Sequence, residues 1–137
     1  MITFNYETEF VLSNEERLAQ WVKEVIEKEG CKEGEINYIF CGDEYLYKIN
    51  VEFLQHDTYT DIISFDYTLG KLINGDIYIS IDRVKENALK YNTTFADELH
   101  RVMIHGILHY VGYKDKTEED KKEMRNKEND AIFDLNN

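Results

Sequence analysis

Residues 102–115 read VMIHGILHYVGYKD, and this stretch predicts the centre of the fold. From Val102 to Gly112, apolar residues occupy nearly the whole circumference of a helix, which is typical of a helix buried on all sides. His105 and His109 are the only ionisable interruptions apart from the phenol of Tyr110. Burying two imidazoles without partners costs on the order of a few kcal/mol. The stretch therefore predicts that the two histidines share a partner.

The spacing within this stretch is that of a metal site. Histidines four residues apart on a helix differ by about 40° around the axis and about 6 Å along it, so both imidazoles can bind one ion. Gly112 is expected to end the helix in the left-handed conformation, which lets Asp115 return toward the histidines. Two imidazoles and a carboxylate leave a fourth position open for water, as in catalytic zinc centres. We therefore predict that His105, His109 and Asp115 bind one Zn²⁺ per chain.

The composition is that of one soluble domain. A chain of 137 residues is long enough for one sizeable core and too short for two ordinary domains, so residues 1–137 are expected to form a single domain. No apolar run reaches the length of a membrane span and the amino terminus has no signal-peptide pattern, which indicates a cytoplasmic protein. Cys31 and Cys41 suit neither a disulfide framework nor a CxxC metal motif, so they are expected to be reduced thiols.

The formal net charge of −12 argues against nonspecific adhesion to nucleic acid or to anionic membranes. It predicts a weak general affinity for polyanions rather than none, because charge on one face can differ from the total. A bound divalent ion would also add positive potential where a phosphate would sit.

Local patterns predict strands at residues 2–6, 36–41, 62–67 and 76–81, with a loop through Gly70 to Gly75 between the last two. Helices are predicted to begin at caps Ser13, Asp43, Asp82 and Thr94, with a last amphipathic helix over residues 118–135. Strands interleaved with helices indicate an α/β or α+β fold. We expect a mixed sheet of about four strands packed with helices, the metal-binding helix being central.

The spacing of both histidines and the glycine matches the metzincin protease pattern H-E-x-x-H-x-x-G-x-x-H, with Asp115 in the third ligand position. Those proteases carry a glutamate after the first histidine that takes a proton from zinc-bound water, and here that position is Gly106. Peptide hydrolysis by that route is therefore not expected unless another carboxylate replaces the missing base.

Four ordered blocks resemble the bacterial YbeY-type single-strand-specific endoribonucleases, also described as rRNA maturation factors. His105–Tyr113 is similar to the family signature H-G-x-L-H-x-x-G-Y, in which glycine after the first histidine is itself characteristic. Thr60–Phe65 resembles the block T-D-V-L-S-F, and Gly75–Ser80 resembles the strand G-D-I-x-I-S. Glu123–Glu128 resembles the closing helix. The resemblance spans most of the chain.

This resemblance implies a zinc-dependent, single-strand-specific endoribonuclease that acts in small-subunit ribosomal RNA maturation and ribosome quality control. Its partners would be single-stranded RNA and a small-subunit particle or ribosomal protein. Two positions depart from the family: Asp115 replaces the usual third histidine, and Leu54 replaces an arginine thought to assist at the phosphate. Lys48 or His56 could substitute, although solvated roles are commoner for both residue types. We therefore assign no catalytic side chain.

Two other functions stay open. Leu54 and the acidic charge favour a ribosome-associated assembly factor with a structural metal and little nuclease activity. A metalloprotease-like hydrolase is a third possibility, on the spacing alone.

Three further ionisable residues, Asp61, Glu98 and His100, are candidates for roles near the site. Asp61 could orient a ligand, although capping or turn formation is commoner. Glu98 lies about 10 Å along the helix from His105, which favours a salt bridge over ligation. His100 falls on another face and is expected to be structural or at the surface.

Overall fold

The computed structural model, which describes residues 1–137, contains four strands and five helices in the order strand, helix, strand, helix, strand, strand and then three helices. The strands are β1 (Ile2–Tyr6), β2 (Lys32–Cys41), β3 (Ile62–Asp66) and β4 (Leu72–Ser80). The helices are α1 (Glu15–Lys28), α2 (Asp43–Leu54), α3 (Ile81–Lys90), α4 (Phe95–Tyr110) and α5 (Glu118–Asn136). No helix combines the length and the apolar character that crossing a bilayer requires.

The four strands form one mixed sheet in the order β1-β2-β4-β3. β2 pairs parallel with β1 and with β4, whereas β3 pairs antiparallel with β4. The parallel pairs are joined through helices, as the long crossover between parallel strands requires. The predicted α/β class and the four-stranded mixed sheet are therefore confirmed.

A large hydrophobic core packs on one face of the sheet and a small hydrophobic cluster packs on the other. Alternate residues of β4 point to opposite faces, so Ile77 and Ile79 enter the main core with α1, α4 and α5. Tyr78 points the other way and packs with Leu46 of α2 in a smaller cluster.

Helix α4 lies at the centre of the main core, as its sequence predicts. Most of its residues are buried, and the Tyr38 hydroxyl of β2 donates a 2.8 Å hydrogen bond to the carbonyl oxygen of Met103. Helix α5 packs along α4 and is also tied to α1, because the Trp21 indole N–H donates to the carbonyl oxygen of Ala131 at 2.8 Å. The helix that carries the candidate metal ligands is thus held by the sheet and by α1, α3 and α5.

The predicted cap of α4 is confirmed, whereas the predicted caps of α1, α2 and α3 are wrong. Thr94 accepts a hydrogen bond from the backbone N–H of Asp97. Helix α1 starts one residue later than its predicted Ser13 cap implies, with Asn14 at the N-cap and no side-chain hydrogen bond there. Asp43 is the first residue of α2 rather than its cap, because its carboxylate accepts hydrogen bonds from Ser80 and Arg83.

Two boundaries near β4 also differ from the sequence prediction. Ser80, rather than Asp82, caps α3, and its hydroxyl oxygen accepts from the backbone N–H of Arg83 at 3.2 Å. Strand β4 begins at Leu72, inside the predicted loop, because Leu72 pairs with Lys32 at the start of the longer β2. This pairing partner is distant in sequence, so no local pattern signals it.

Candidate metal centre

The end of α4 brings the three predicted metal ligands together. Gly112 has φ +115°, in the region that favours glycine, and its N–H donates to the carbonyl oxygen of His109 at 3.1 Å. The N–H of Tyr113 donates to the carbonyl oxygen of Leu108 at 2.9 Å, which completes the reversal of the chain. Asp115 is thereby placed beside His105 and His109.

The three ligand atoms form a nearly equilateral triangle. The two histidine Nε2 atoms are 3.1 Å apart, and Oδ2 of Asp115 lies 3.2 Å from Nε2 of His109 and 3.4 Å from Nε2 of His105. A tetrahedral ion with bonds of about 2.0–2.1 Å holds its ligand atoms about 3.3–3.4 Å apart. All three residues are half-buried, which leaves one side of the triangle accessible. The donor set and its spacing therefore fit one metal ion.

Each histidine uses its other ring nitrogen in a hydrogen bond. Nδ1 of His105 lies 2.7 Å from Oε2 of Glu128, and Nδ1 of His109 lies 3.0 Å from the carbonyl oxygen of Tyr113. Both partners are acceptors, so each Nδ1 carries the proton it donates. The lone pair of each Nε2 is consequently directed into the triangle, as in most protein metal sites with histidine ligands.

Glu128 of α5 is a buried carboxylate whose two oxygens both accept hydrogen bonds. Oε2 faces His105, and Oε1 accepts from Nη1 of Arg101 at 2.9 Å. Burial favours the neutral acid, but the hydrogen bonds from His105 and Arg101 outweigh it and hold the pKa of Glu128 below its ordinary value. Burial likewise opposes a charge on His105, yet Glu128 and Asp115 raise the pKa of that imidazole. Glu128 is thus an ionised group that fixes the ring of His105.

Sequence reasoning missed Glu128, although the helical pattern contained the signal. Met124, Ala131 and Leu135 are the buried apolar residues of α5, and Glu128 lies four residues after the first of them on the same face. A carboxylate on an otherwise buried apolar face needs a partner. That partner is on α4, which is not apparent from α5 alone.

Lys48 and His56, which could replace the arginine missing at Leu54, form no hydrogen bond or ion pair with the triad. Leu54 is the last residue of α2 and its side chain is exposed. Lys48 and His56 are exposed as well, and neither side chain makes a hydrogen bond or an ion pair.

Asp61 is half-buried close to the site, but it does not hydrogen-bond to a ligand. Its carboxylate accepts from the amide of Asn87 at 3.5 Å, and burial raises its pKa above the ordinary value. The residue that orients His105 is therefore Glu128 rather than Asp61.

The predicted salt bridge of Glu98 is wrong. Glu98 is buried without an ion pair, and burial together with the nearby charge of Asp61 raises its pKa. The prediction failed because the spacing of residues along α4 does not indicate which residues of other helices and strands lie next to Glu98. His100 is structural, as expected: its half-buried ring packs edge-on against Trp21, with ring centroids 5.9 Å apart.

Gly106 packs against the sheet. A Cβ atom at this position would lie 3.1 Å from Cδ1 of Ile77 and 3.2 Å from Cδ1 of Ile62. The residue after the first histidine therefore occupies a tight contact between α4 and the strands. Its place in the motif is explained by packing, and no acid or base stands there.

Two neighbouring cavities open beside the triad and share His105, Arg125 and Glu128 in their walls. One, of about 290 Å³, extends toward α3 and the start of β3. The other, of about 260 Å³, extends toward Asp115 and Lys121. A larger cavity of about 480 Å³ lies elsewhere, lined by α1 and α5, and contains none of the triad residues.

Fold and site together define an α/β protein whose central helix carries a candidate metal centre of two histidines and one aspartate. A family model described as Endoribonuclease YbeY matches residues 2–136. The chain belongs to the YbeY endoribonuclease family.

Similar proteins include two bacterial relatives, both named endoribonuclease YbeY. The one from Flavobacterium johnsoniae is 61% identical over 132 residues, which cover 96% of this chain and 95% of the relative. The one from Christiangramia forsetii is 56% identical over 131 residues, covering 96% and 92%. A solution structure of a Thermotoga maritima protein has the same fold, with a TM-score of 0.74 and 29% identity, covering 98% of this chain and 89% of that one.

Proposed function

We propose that this protein is a zinc-dependent endoribonuclease that cleaves single-stranded RNA. The observation that carries the proposal is the triangle of His105, His109 and Asp115, whose ligand atoms lie 3.1–3.4 Å apart. Membership of an endoribonuclease family supports the substrate class. Two imidazoles and a carboxylate are a donor set that zinc commonly takes in catalytic sites.

The chain's own residues hold this site in its binding geometry. His105, His109 and Asp115 would be the metal ligands, while Glu128 and the carbonyl oxygen of Tyr113 fix the two imidazole rings. When bound, a divalent ion supplies Lewis-acid chemistry, which activates water and polarises a phosphoryl oxygen. Arg101 keeps Glu128 ionised and in place.

We further propose that the RNA substrate is ribosomal. The resemblance to rRNA maturation factors supports a cytoplasmic role in small-subunit rRNA maturation and ribosome quality control, with a small-subunit particle or protein as partner. Recognition of a preassembled particle does not need a broad basic surface, which accords with the net charge of −12.

The experiment compares cleavage of single-stranded and duplex RNA by purified protein, with chelator and after zinc is restored. His109→Ala, prepared in parallel, tests the triad, and His56→Ala replaces an exposed histidine outside it as the matched control. We expect cleavage of single strands that chelator abolishes, zinc restores and His109→Ala lacks. Metal-independent cleavage, or equal cleavage by His109→Ala, would contradict the proposal.

A second candidate function is ribosome assembly with a structural metal. It is favoured by Leu54, which leaves the family's arginine position without a cation, and by the acidic charge. Pull-down of small-subunit particles by His109→Ala, together with rescue of a deletion strain by that variant, would favour assembly over cleavage. A protease function is disfavoured by Gly106, since glycine supplies no base and a larger residue there would press on Ile62 and Ile77.

A further inference from the structure

Four elements meet in the 290 Å³ cavity beside His105, which we name the lateral cleft. Its lining comes from β3, α3, α4 and α5 and from residues directly beside them. The residues that matter for its binding properties are Asn87, Tyr91, Arg101, His105, Arg125 and Glu128. Its volume is near the lower limit of small-ligand sites, about 300 Å³, which suits a single nucleotide rather than a duplex.

Arg125 is the cation of the lateral cleft that remains available to a ligand. Arg101 is only 24% exposed, and its guanidinium is engaged by Glu128 and by Asn129, each at 2.9 Å. The side chain of Arg125 is 61% exposed, and its one ionic contact is with Glu128 at 3.8 Å. Arg125 also lines the second cavity beside the triad. A free guanidinium presents paired N–H donors that match the oxygens of a phosphate.

Tyr91 supplies an aromatic surface at the α3 side of the lateral cleft. It directly follows α3, is 59% exposed and makes no side-chain hydrogen bond. Lys90 places its ammonium 5.6 Å from the centre of the ring, which adds positive charge beside it. Unpaired bases stack on exposed aromatic rings of this kind, whereas bases in a duplex are already stacked and paired.

The charges of the lateral cleft make the binding of an RNA strand depend on the bound metal ion. Asp61, Glu98 and Glu128 outnumber its two guanidiniums, so the cleft alone is formally negative. A divalent ion on the adjacent triad, which includes Asp115, cancels that formal negative charge and places positive potential where a phosphate would bind. Affinity for an RNA strand should therefore depend on the bound ion as well as on Arg125.

We propose that the lateral cleft binds one unpaired nucleotide next to the metal centre, with Arg125 on its phosphate and Tyr91 stacked on its base. The inference rests on the proposed function and assigns to it a binding subsite for single strands. Asn87, whose amide already donates to Asp61, lies four residues before Tyr91 and lines the same cleft.

The test measures binding rather than cleavage. A fluorescein-labelled, single-stranded 2′-O-methyl RNA octamer is titrated with full-length protein by fluorescence anisotropy, with zinc and with chelator, and a gel afterwards verifies that the oligomer is intact. The variants are Arg125→Ala, Tyr91→Ala and Tyr91→Phe. Lys122→Ala and Leu89→Ala replace exposed residues of the same two helices outside the cleft and serve as matched controls.

We expect Arg125→Ala to weaken zinc-dependent binding about tenfold or more and to reduce the salt dependence, the slope of log K against log[salt], by about 0.7. Tyr91→Ala should weaken binding at least about fivefold, while Tyr91→Phe keeps the stacking ring and the affinity. Both control variants should bind within about twofold of wild type.

Wild-type affinity in Arg125→Ala and Tyr91→Ala would overturn the lateral cleft as a nucleotide site. So would equal binding of the octamer and of its duplex. If wild type cleaves RNA in a metal-dependent manner but these variants bind normally, the cleft fails while the proposed function stands. If the variants bind weakly but wild type never cleaves RNA, the proposed function fails and the cleft stands. Melting curves check that each variant is folded.

Discussion

Replacing Glu128 with glutamine tests how the metal centre is positioned. Glutamine has nearly the same shape, but an NH₂ group replaces one of the two oxygens that accept from His105 and Arg101, at 2.7 and 2.9 Å. An NH₂ group cannot accept either hydrogen bond, so one of the two contacts is lost and the remaining acceptor is neutral. The ring of His105 therefore either loses its acceptor or keeps only a neutral one, and its orientation is fixed less firmly in both cases.

The expected magnitude follows from the kind of contact that is removed. Loss of the partner that orients a metal-binding histidine weakens metal binding by about 10- to 100-fold. This corresponds to about 1.4–2.8 kcal/mol. Because Glu128 is only 5% exposed, the metal-free protein should also lose about 1–3 kcal/mol of unfolding free energy. Glu128→Ala should cost about 3–5 kcal/mol, since it leaves Arg101 without its buried partner.

Zinc affinity is measured by competition with a chromophoric chelator, and stability by urea denaturation of the metal-free protein. Glu123→Gln makes the same chemical change on an exposed residue of α5 that has no ion pair, and should leave both quantities unchanged. A Glu128→Gln variant that binds zinc within about twofold of wild type would refute the assigned role of Glu128.

Three other predictions concern the scaffold. Gly75→Ala should lower the free energy of unfolding by about 2–3 kcal/mol in urea denaturation. The added Cβ atom would lie 2.5 Å from the Tyr110 ring and 2.6 Å from the carbonyl oxygen of Phe65. An unchanged urea midpoint would contradict the close packing of α4 on the sheet. Burial, and to a smaller extent the nearby acidic charges, raises the pKa of the Cys41 thiol from 9.0 to about 12. The folded protein therefore favours the neutral thiol, and the stability that this thiol contributes is complete below about pH 9 and is lost as the pH rises toward 12. This thiol can lower the free energy of unfolding by at most about 1.4 kcal/mol per pH unit. Cys41→Ala should remove that part of the alkaline pH dependence. An unchanged pH dependence in the variant would show that Cys41 is not its source. Thr94→Ala should cost about 1 kcal/mol through loss of the α4 cap, while Thr94→Asn should retain the stability; equal thermal shifts in both variants would contradict the capping role.

Local sequence signals predicted the metal helix well. The apolar run of α4, the Thr94 cap and the left-handed Gly112 each act within a few residues, so the pattern contains all the physical information required. The spacing of His105, His109 and Asp115 is likewise set by one helix and the turn that follows it. The convergence of these three residues was therefore predictable from the sequence.

Features that depend on distant contacts were not predictable in this way. Asp43 resembles a helix cap locally, yet its carboxylate accepts hydrogen bonds from Ser80 at the end of β4 and from Arg83 of α3. Glu128 belongs to the site only because α5 packs against α4. The sheet order, which places β4 between β2 and β3, depends equally on pairing between segments far apart in the chain. The local periodicity of the sequence contains no information about such long-range contacts.

The most direct test of the metal centre is an anomalous-difference map from zinc-loaded crystals, recorded on both sides of the zinc absorption edge. We expect one strong peak per chain, about 2.0–2.2 Å from Nε2 of His105, Nε2 of His109 and a carboxylate oxygen of Asp115. A protein loaded with one equivalent of zinc that gives no peak there, or gives its main peak on other residues, would contradict it.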